Sequence, residues 1–243
     1  MYNYRNSKQN IINILTSKTK IEEKDEIPLE NEFTYENGVR CWTTAIFVDI
    51  RDSSTLFTES NKDKLARFMR AFTSEIITIL SQDDKHYQIG IRGDCVYGIY
   101  SSNSKKDDIR VFNYACNINT YIKMLNKVSS DYGYKSISVG IGIGSGHDLI
   151  IKAGRAGSGI NDKIYIGDAL VYASNLCSIA NTRQYNPIAI DKLIYANVIE
   201  EHPKYKQWLH FSRDYSCKPN EFYHCNMITS DFNEWIDGGM KNV

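Results

Sequence analysis

The chain lacks most of the features that declare a functional class outright. Its 243 residues hold four prolines, too few and too scattered for a proline-rich recognition tract. Six cysteines stand at 41, 95, 116, 177, 217 and 225 with no C-x-x-C pair. That excludes a zinc ribbon or thioredoxin-type motif, and because four of them sit inside apolar segments it points to buried reduced thiols in place of a disulfide framework. Lysine plus arginine equals aspartate plus glutamate at 29 each, so no bulk field draws the chain to nucleic acid or an anionic membrane. No apolar run approaches the roughly 20 residues of a membrane helix, and no basic-then-apolar leader opens the sequence. The expectation is a soluble cytoplasmic protein with one main α/β core and no nucleic-acid or membrane partner.

Residues 1–38 read as an arm. SKQNIINILTSK can form a short helix with Ile11, Ile12, Ile14 and Leu15 on one side, and the acidic, Pro28-containing IEEKDEIPLENE reads as a linker. Residues 39–243 then read as the main domain. CWTTAIFVDI is a continuous apolar and β-branched run of a strand buried on both faces. Leu65, Phe68, Met69, Phe72, Ile76, Ile77 and Leu80 follow at helical spacing. HYQIGIRGDCVYGIYSS gives a hairpin turning at Gly93 and Asp94. A second long helix carries Ile109, Phe112, Cys116, Ile122 and Leu125 on its apolar stripe, and KSISVGIGIGSGHDLIIKAG reads as two strands separated by Ser145 to Asp148. Gly140, Gly142, Gly144 and Gly146 bare one face of that segment, for a close-packed helix or for a ligand. IYIGDALVYASNLCSIAN reads as strand, turn and helix with Asp168 as N-cap. A strand-helix pair (PIAI, then DKLIYANVIEE) and a hairpin from Trp208 to Met227 close the chain. Strand, helix, hairpin, helix, strand is the split βαβ arrangement of ferredoxin-like and palm-type α/β (α+β) sheets, mixed but largely antiparallel and flanked by helices.

The stretch AIFVDIRDSS, residues 45–54, poses the chemical question, because a core strand ends in Asp49 and Asp52 beside Arg51. In a split βαβ sheet the first strand neighbours the hairpin, which brings Asp49 to Asp94. Two such carboxylates repel each other and a cation relieves them. Oxygen-only ligands suit Mg²⁺ or Mn²⁺, which commonly complete their shells with substrate phosphate. The pair therefore points to phosphoryl or nucleotidyl chemistry. Against this stands capping of the turn by Asp49 and a plain hairpin role for Asp94. Asp52, Ser53 and Ser54 open a helix whose N–H groups can hold a triphosphate, with capping as the alternative for Asp52. Arg51 can meet a phosphate or a carboxylate.

On these residues the sequence resembles the class III nucleotidyl cyclases. FVDIRDSS is similar to their F-x-D-I-x-G-F-[ST] first-metal motif, IRGDCVYGIY to their I-G-D hairpin and IYIGDALVYASNL to their W-G-x-x-V-N-x-A-x-R segment, over roughly residues 41–228. The resemblance implies two Mg²⁺ or Mn²⁺ ions on Asp49, Asp94 and the carbonyl of Ile50. It implies attack of a nucleoside triphosphate's 3′-hydroxyl on its own α-phosphate, and a head-to-tail homodimer with sites at the subunit interface. Arg92 lies in the same hairpin and joins the substrate-binding candidates.

The departures are specific. The usual base-contacting lysine or glutamate position is Gly90, and the second such position falls on Ile164; neither makes the usual purine contact. The transition-state Asn and Arg positions fall on Val171 and Asn175. KAGRAGSGIND, the Asp168-containing segment and the ending FYHCNMI resemble the pyrimidine cyclases of bacterial Pycsar anti-phage systems. That subgroup is implied to make cyclic UMP or cyclic CMP from UTP or CTP and to signal to a separate effector. Lys152, Arg155, Asn175 and Lys218 then become candidates for phosphate or base contacts from the partner subunit. A purine cyclase with rearranged base contacts, or a silent cyclase-fold module that binds nucleotide or dimerises, are the alternatives these departures leave open.

Overall fold

The computed structural model describes residues 2–57, 61–82, 86–182 and 184–241. Helix α1 (Tyr4–Thr16) is capped by the Asn3 side chain and buries none of its residues, so Ile11, Ile12, Ile14 and Leu15 face solvent. The segment after it departs from the expected linker. Strand β1 (Lys20–Glu23) pairs in parallel with the start of β2 (Asn37–Ile50), and Ile27 and Phe33 are buried beside Val39, Cys41 and Ile150. The acidic residues are spent on ion pairs: Lys24 meets Glu32 at 3.1 Å, and Glu30 meets Lys163 and, at 3.8 Å, Lys152.

The chain continues through α2 (Ser53–Phe57), α3 (Lys62–Leu80), the hairpin β3 (His86–Arg92) and β4 (Cys95–Ser101), α4 (Lys105–Ser130), β5 (Val139–Gly154) and β6 (Asn161–Ile166). It ends with α5 (Ala169–Ile179), β7 (Ile188–Ile190), α6 (Lys192–Glu201), the hairpin β8 (His210–Arg213) and β9 (Glu221–Cys225), and α7 (Ser230–Asp237), a helix the sequence pattern did not announce. Among the described residues the sheet has nine strands, in the order β3-β4-β2-β5-β7-β9-β8 with β1 on β2 and β6 on β5. Only β1–β2 and β5–β7 are parallel. The first four strands of this path are the split βαβ unit, so the largely antiparallel palm-type sheet stands as expected.

Strand alternation sorts the two faces. Ile46, Val48, Ile50, Ile141 and Ile143 enter the main core, where α3 supplies Phe68, Phe72, Ile76 and Leu80 and α4 supplies Phe112 and Ile118. On the opposite face α5 lies against the glycines of β5. A Cβ on Gly142 would stand 2.1 Å from the Ala173 carbonyl oxygen and the Cys177 nitrogen. The period-two glycines thus admit a helix, the first of the two expected alternatives.

Two local expectations are corrected. β5 is one strand, not two broken at Ser145 to Asp148, because β2 pairs with it without interruption from Gly38↔Ile151 to Ile50↔Val139. The polar groups in that stretch are satisfied in place: Ser145 Oγ donates to the Thr43 carbonyl at 3.2 Å and Thr43 Oγ1 to Asp148 at 2.9 Å. Asp168 holds the N-cap position of α5 but makes no side-chain cap bond. Asp148 accepts from the Ala169 N–H, at 3.4 Å.

Asp191 ties the end of β7 to this strand, accepting from the Ser145 N–H at 2.6 Å and from the Ile194 N–H at 2.8 Å. Burial, reinforced by the Asp108 carboxylate and opposed by those N–H donors, pushes its carboxyl up to about 6. The folded state therefore binds the proton more tightly than the unfolded chain. The contribution to stability is full in acid and declines as pH rises from about 4 to about 6, by up to roughly 1.4 kcal/mol per unit. Urea-unfolding free energies of wild type and Asp191→Asn, compared across that window, are expected to differ by this slope. Parallel curves would refute it.

Candidate active site

The site forms where β2 ends beside the β3–β4 turn. β2 pairs with β4 as far as Val48↔Val96, so Asp49 emerges next to Cys95 and the turn residue Asp94, after Gly93 at φ +67°. Phe47 and Asp49 line the α5 face while Val48 and Ile50 enter the core. Burial raises the Asp49 carboxyl above its ordinary range, and the adjacent Asp94 carboxylate raises it further, with Arg51 pulling it back. Asp94 Oδ2 is buried with no hydrogen-bond partner. The two acids that lie far apart in sequence do meet.

Arg51 lies between the Asp49 carboxylate and the end of α5. Its Nη2 lies 3.6 Å from Asp49 Oδ2 and donates to the Cys177 carbonyl at 2.9 Å, and its Nη1 donates to the Ser178 carbonyl at 2.8 Å. These are end-of-helix carbonyls without intrahelical partners, at the negative end of the α5 dipole. Arg51 thus fastens the strand end to α5. Asp52 takes a left-handed φ of +52° just before α2, which begins at Ser53 and includes Ser54.

Between sheet and helix lies a cavity of about 600 Å³. Asp49, Phe47 and Tyr97 line it with Gln88 and Arg92 from β3, Lys163 and Tyr165 from β6, and Ser174 and Ser178 from α5. Gly90 is explained here. A Cβ on it would come within 2.4 Å of the Tyr97 ring, which stacks on Phe47 with centroids 5.4 Å apart. β6 alternation turns Ile164 away from this cavity, about half exposed, while Lys163 and Tyr165 line it. Lys152, paired with Glu30, also lies near Tyr35. Arg155 is exposed in the β5–β6 turn. Asn175 donates to the Lys218 carbonyl at 3.1 Å, and Lys218 lines a separate cavity of about 790 Å³ by the β8–β9 connection. None of these four lines the Asp49 cavity of its own chain. Gln88, Tyr97 and Tyr165 were missed, although alternation from Gly90 puts Gln88 on its face.

The chain is 45% identical over 239 residues to a uridylate cyclase of Treponema porcinum, covering 98% of this chain and 82% of the relative. It belongs to the pyrimidine cyclases of the class III nucleotidyl cyclase family. A uridylate cyclase of Gulbenkiania mobilis is 33% identical over 205 residues, covering 81% and 79%. No protein-family model matches. Among solved structures, the adenylyl cyclase CyaB from P. aeruginosa superposes with a TM-score of 0.62 at 21% identity, over 77% of this chain and 95% of its own. A class III adenylyl cyclase-like ATP-binding protein from Pseudomonas aeruginosa reaches 0.66 at 13% identity, over 96% and 48%. At that distance these two speak for the fold. In this pyrimidine cyclase Asp49 and Asp94 act on each other, and the Tyr97 ring fills the space beside Gly90. No helix among the described residues is long and apolar enough to cross a membrane.

Proposed function

We propose that the chain converts UTP to 3′,5′-cyclic UMP and pyrophosphate. The 3′-oxygen forms a bond to the α-phosphorus as the bond from that phosphorus to the leaving pyrophosphate oxygen breaks. The observation that carries this reading is the Asp49–Asp94 pair, whose Asp49 lines a nucleotide-sized cavity, in a chain of this family. The two relatives named above are both uridylate cyclases, which supports UTP over CTP.

The pair also supports a divalent-metal site. A buried Asp94 oxygen without a hydrogen-bond partner, beside an Asp49 carboxyl raised by burial and by that neighbouring acid, is a donor set that a hard cation would satisfy. Among the described residues no group of three or more His, Cys, Asp and Glu side chains could hold a metal. Asp49, Asp94 and the Ile50 carbonyl would hold Mg²⁺ or Mn²⁺, with water and phosphate oxygens completing the shell, as suits hard cations. Two such ions would acidify the 3′-hydroxyl and neutralise charge on the triphosphate. Arg51 keeps Asp49 in place by anchoring it to α5.

Lys152, Arg155, Asn175 and Lys218 lie off this cavity in their own chain, which fits a homodimer whose partner supplies phosphate or base contacts. The resemblance to Pycsar cyclases supports a cytoplasmic signal generator of anti-phage defence, read by a separate effector. Incubating the purified chain with each of the four triphosphates and Mn²⁺, and identifying products by mass, tests the proposal. Cyclic UMP is expected to dominate. A purine product, or none from any triphosphate, would overturn it.

A further inference from the structure

We infer that Gln88 reads the hydrogen-bonding edge of the pyrimidine, a specificity role that rests on the cyclase reading of this cavity. At Gly90 there is no side chain and no room for one, because the Tyr97 ring occupies the place of its Cβ. The next residue back on the same face of β3 is Gln88, which lines the cavity with Asp49. Two tyrosines hold its amide: Nε2 donates to Tyr97 Oη at 3.2 Å, and Oε1 accepts from Tyr165 Oη at 3.0 Å. Tyr97 is itself stacked on Phe47, so the support is stiff.

A primary amide has two N–H donors and two acceptor lone pairs. The tyrosines use one of each. One N–H and one lone pair remain on the two atoms of a planar group. Uracil presents N3–H and O4 as an adjacent donor and acceptor, and cytosine presents N4–H and N3. The order is reversed between the two, with the donor at position 3 in uracil and the acceptor there in cytosine, so for a base held in one pose an amide fixed with its oxygen toward position 3 matches uracil and meets cytosine acceptor to acceptor.

The test uses full-length protein with Mn²⁺ and 3′-deoxy-UTP, which cannot cyclise, against its N3-methyl derivative, which has lost the N3–H. In wild type the methylated compound is expected to bind about 10- to 100-fold more weakly, the range for losing a hydrogen bond in a site built for it. In Gln88→Ala the unmethylated compound weakens by a similar factor and the methyl penalty disappears. Gln88→Met, closer in volume, serves the same purpose should Gln88→Ala fail to fold. A merely structural role for Gln88 would leave the methyl penalty intact in the variant, and that result overturns the inference. So does equal binding of both compounds to wild type. A wild type that binds neither compound overturns the nucleotide reading of the cavity as well, which separates the two failures.

Discussion

Asp94→Asn is expected to lower cyclic nucleotide formation by at least roughly 10²-fold, the scale for losing one charge-stabilising group at a reacting phosphate, without destabilising the metal-free protein. The second half of that expectation follows from the geometry. Asp94 Oδ2 has no hydrogen-bond partner to lose, and its charge pushes up the Asp49 carboxyl. Removing one of two adjacent acids relieves repulsion, whereas breaking a satisfied buried pair would leave an uncompensated charge. Thermal melting separates these effects from misfolding. Wild type is expected to gain stability with added Mn²⁺ by mass action on a site present only in the folded state, and Asp94→Asn to gain much less. Asp49→Asn should behave alike in activity, although it also loses the contact to Arg51. Undiminished product in either variant, or an unchanged response to Mn²⁺, would remove the metal assignment.

The parts of this fold legible in sequence are those governed by periodicity. The apolar run ending at Ile50, the helical spacing of Leu65 to Leu80 and the Gly93-Asp94 turn each impose one local solution, and their order leaves the split βαβ sheet as the arrangement that joins Asp49 to Asp94. What escaped depended on partners distant in the chain. Ser145 and Asp148 look like a turn until Thr43 accepts them into a strand. The acidic segment after α1 looks solvated until Glu30 meets Lys163 and Lys152 across the β5–β6 hairpin. Lys163 and Tyr165 face the cavity while Ile164 between them faces outward, a division that depends on the register of β6 on β5, in which a one-residue slip moves every side chain to the other face. Gln88 offered no motif at all. Its role is visible only once Tyr97 and Tyr165 stand on either side of the amide.

Gly142→Ala is expected to destabilise the protein by about 3 kcal/mol or more and to abolish activity together with the fold around α5. Overpacking ordinarily costs about 1–3 kcal/mol because side chains turn aside, but here the obstacles are main-chain atoms, the Ala173 oxygen and the Cys177 nitrogen, each 2.1 Å from the added carbon. Relief requires α5 to lift from the sheet. That helix lines the cavity with Ser174 and Ser178 and supplies the two carbonyls that hold Arg51 beside Asp49, so a methyl group between β5 and α5 reaches the carboxylate pair. Urea denaturation measures the loss. Gly238→Ala, whose added carbon would meet the Glu234 carbonyl oxygen at 3.3 Å at the end of α7, is the control and should stay within about 0.5 kcal/mol. Combining Gly142→Ala with Ala173→Gly sharpens the argument. Truncating Ala173 removes a methyl and leaves its carbonyl in place, so no rescue is expected, and recovery of stability in the double variant would mean that side chains, not backbone, set the distance between α5 and the sheet.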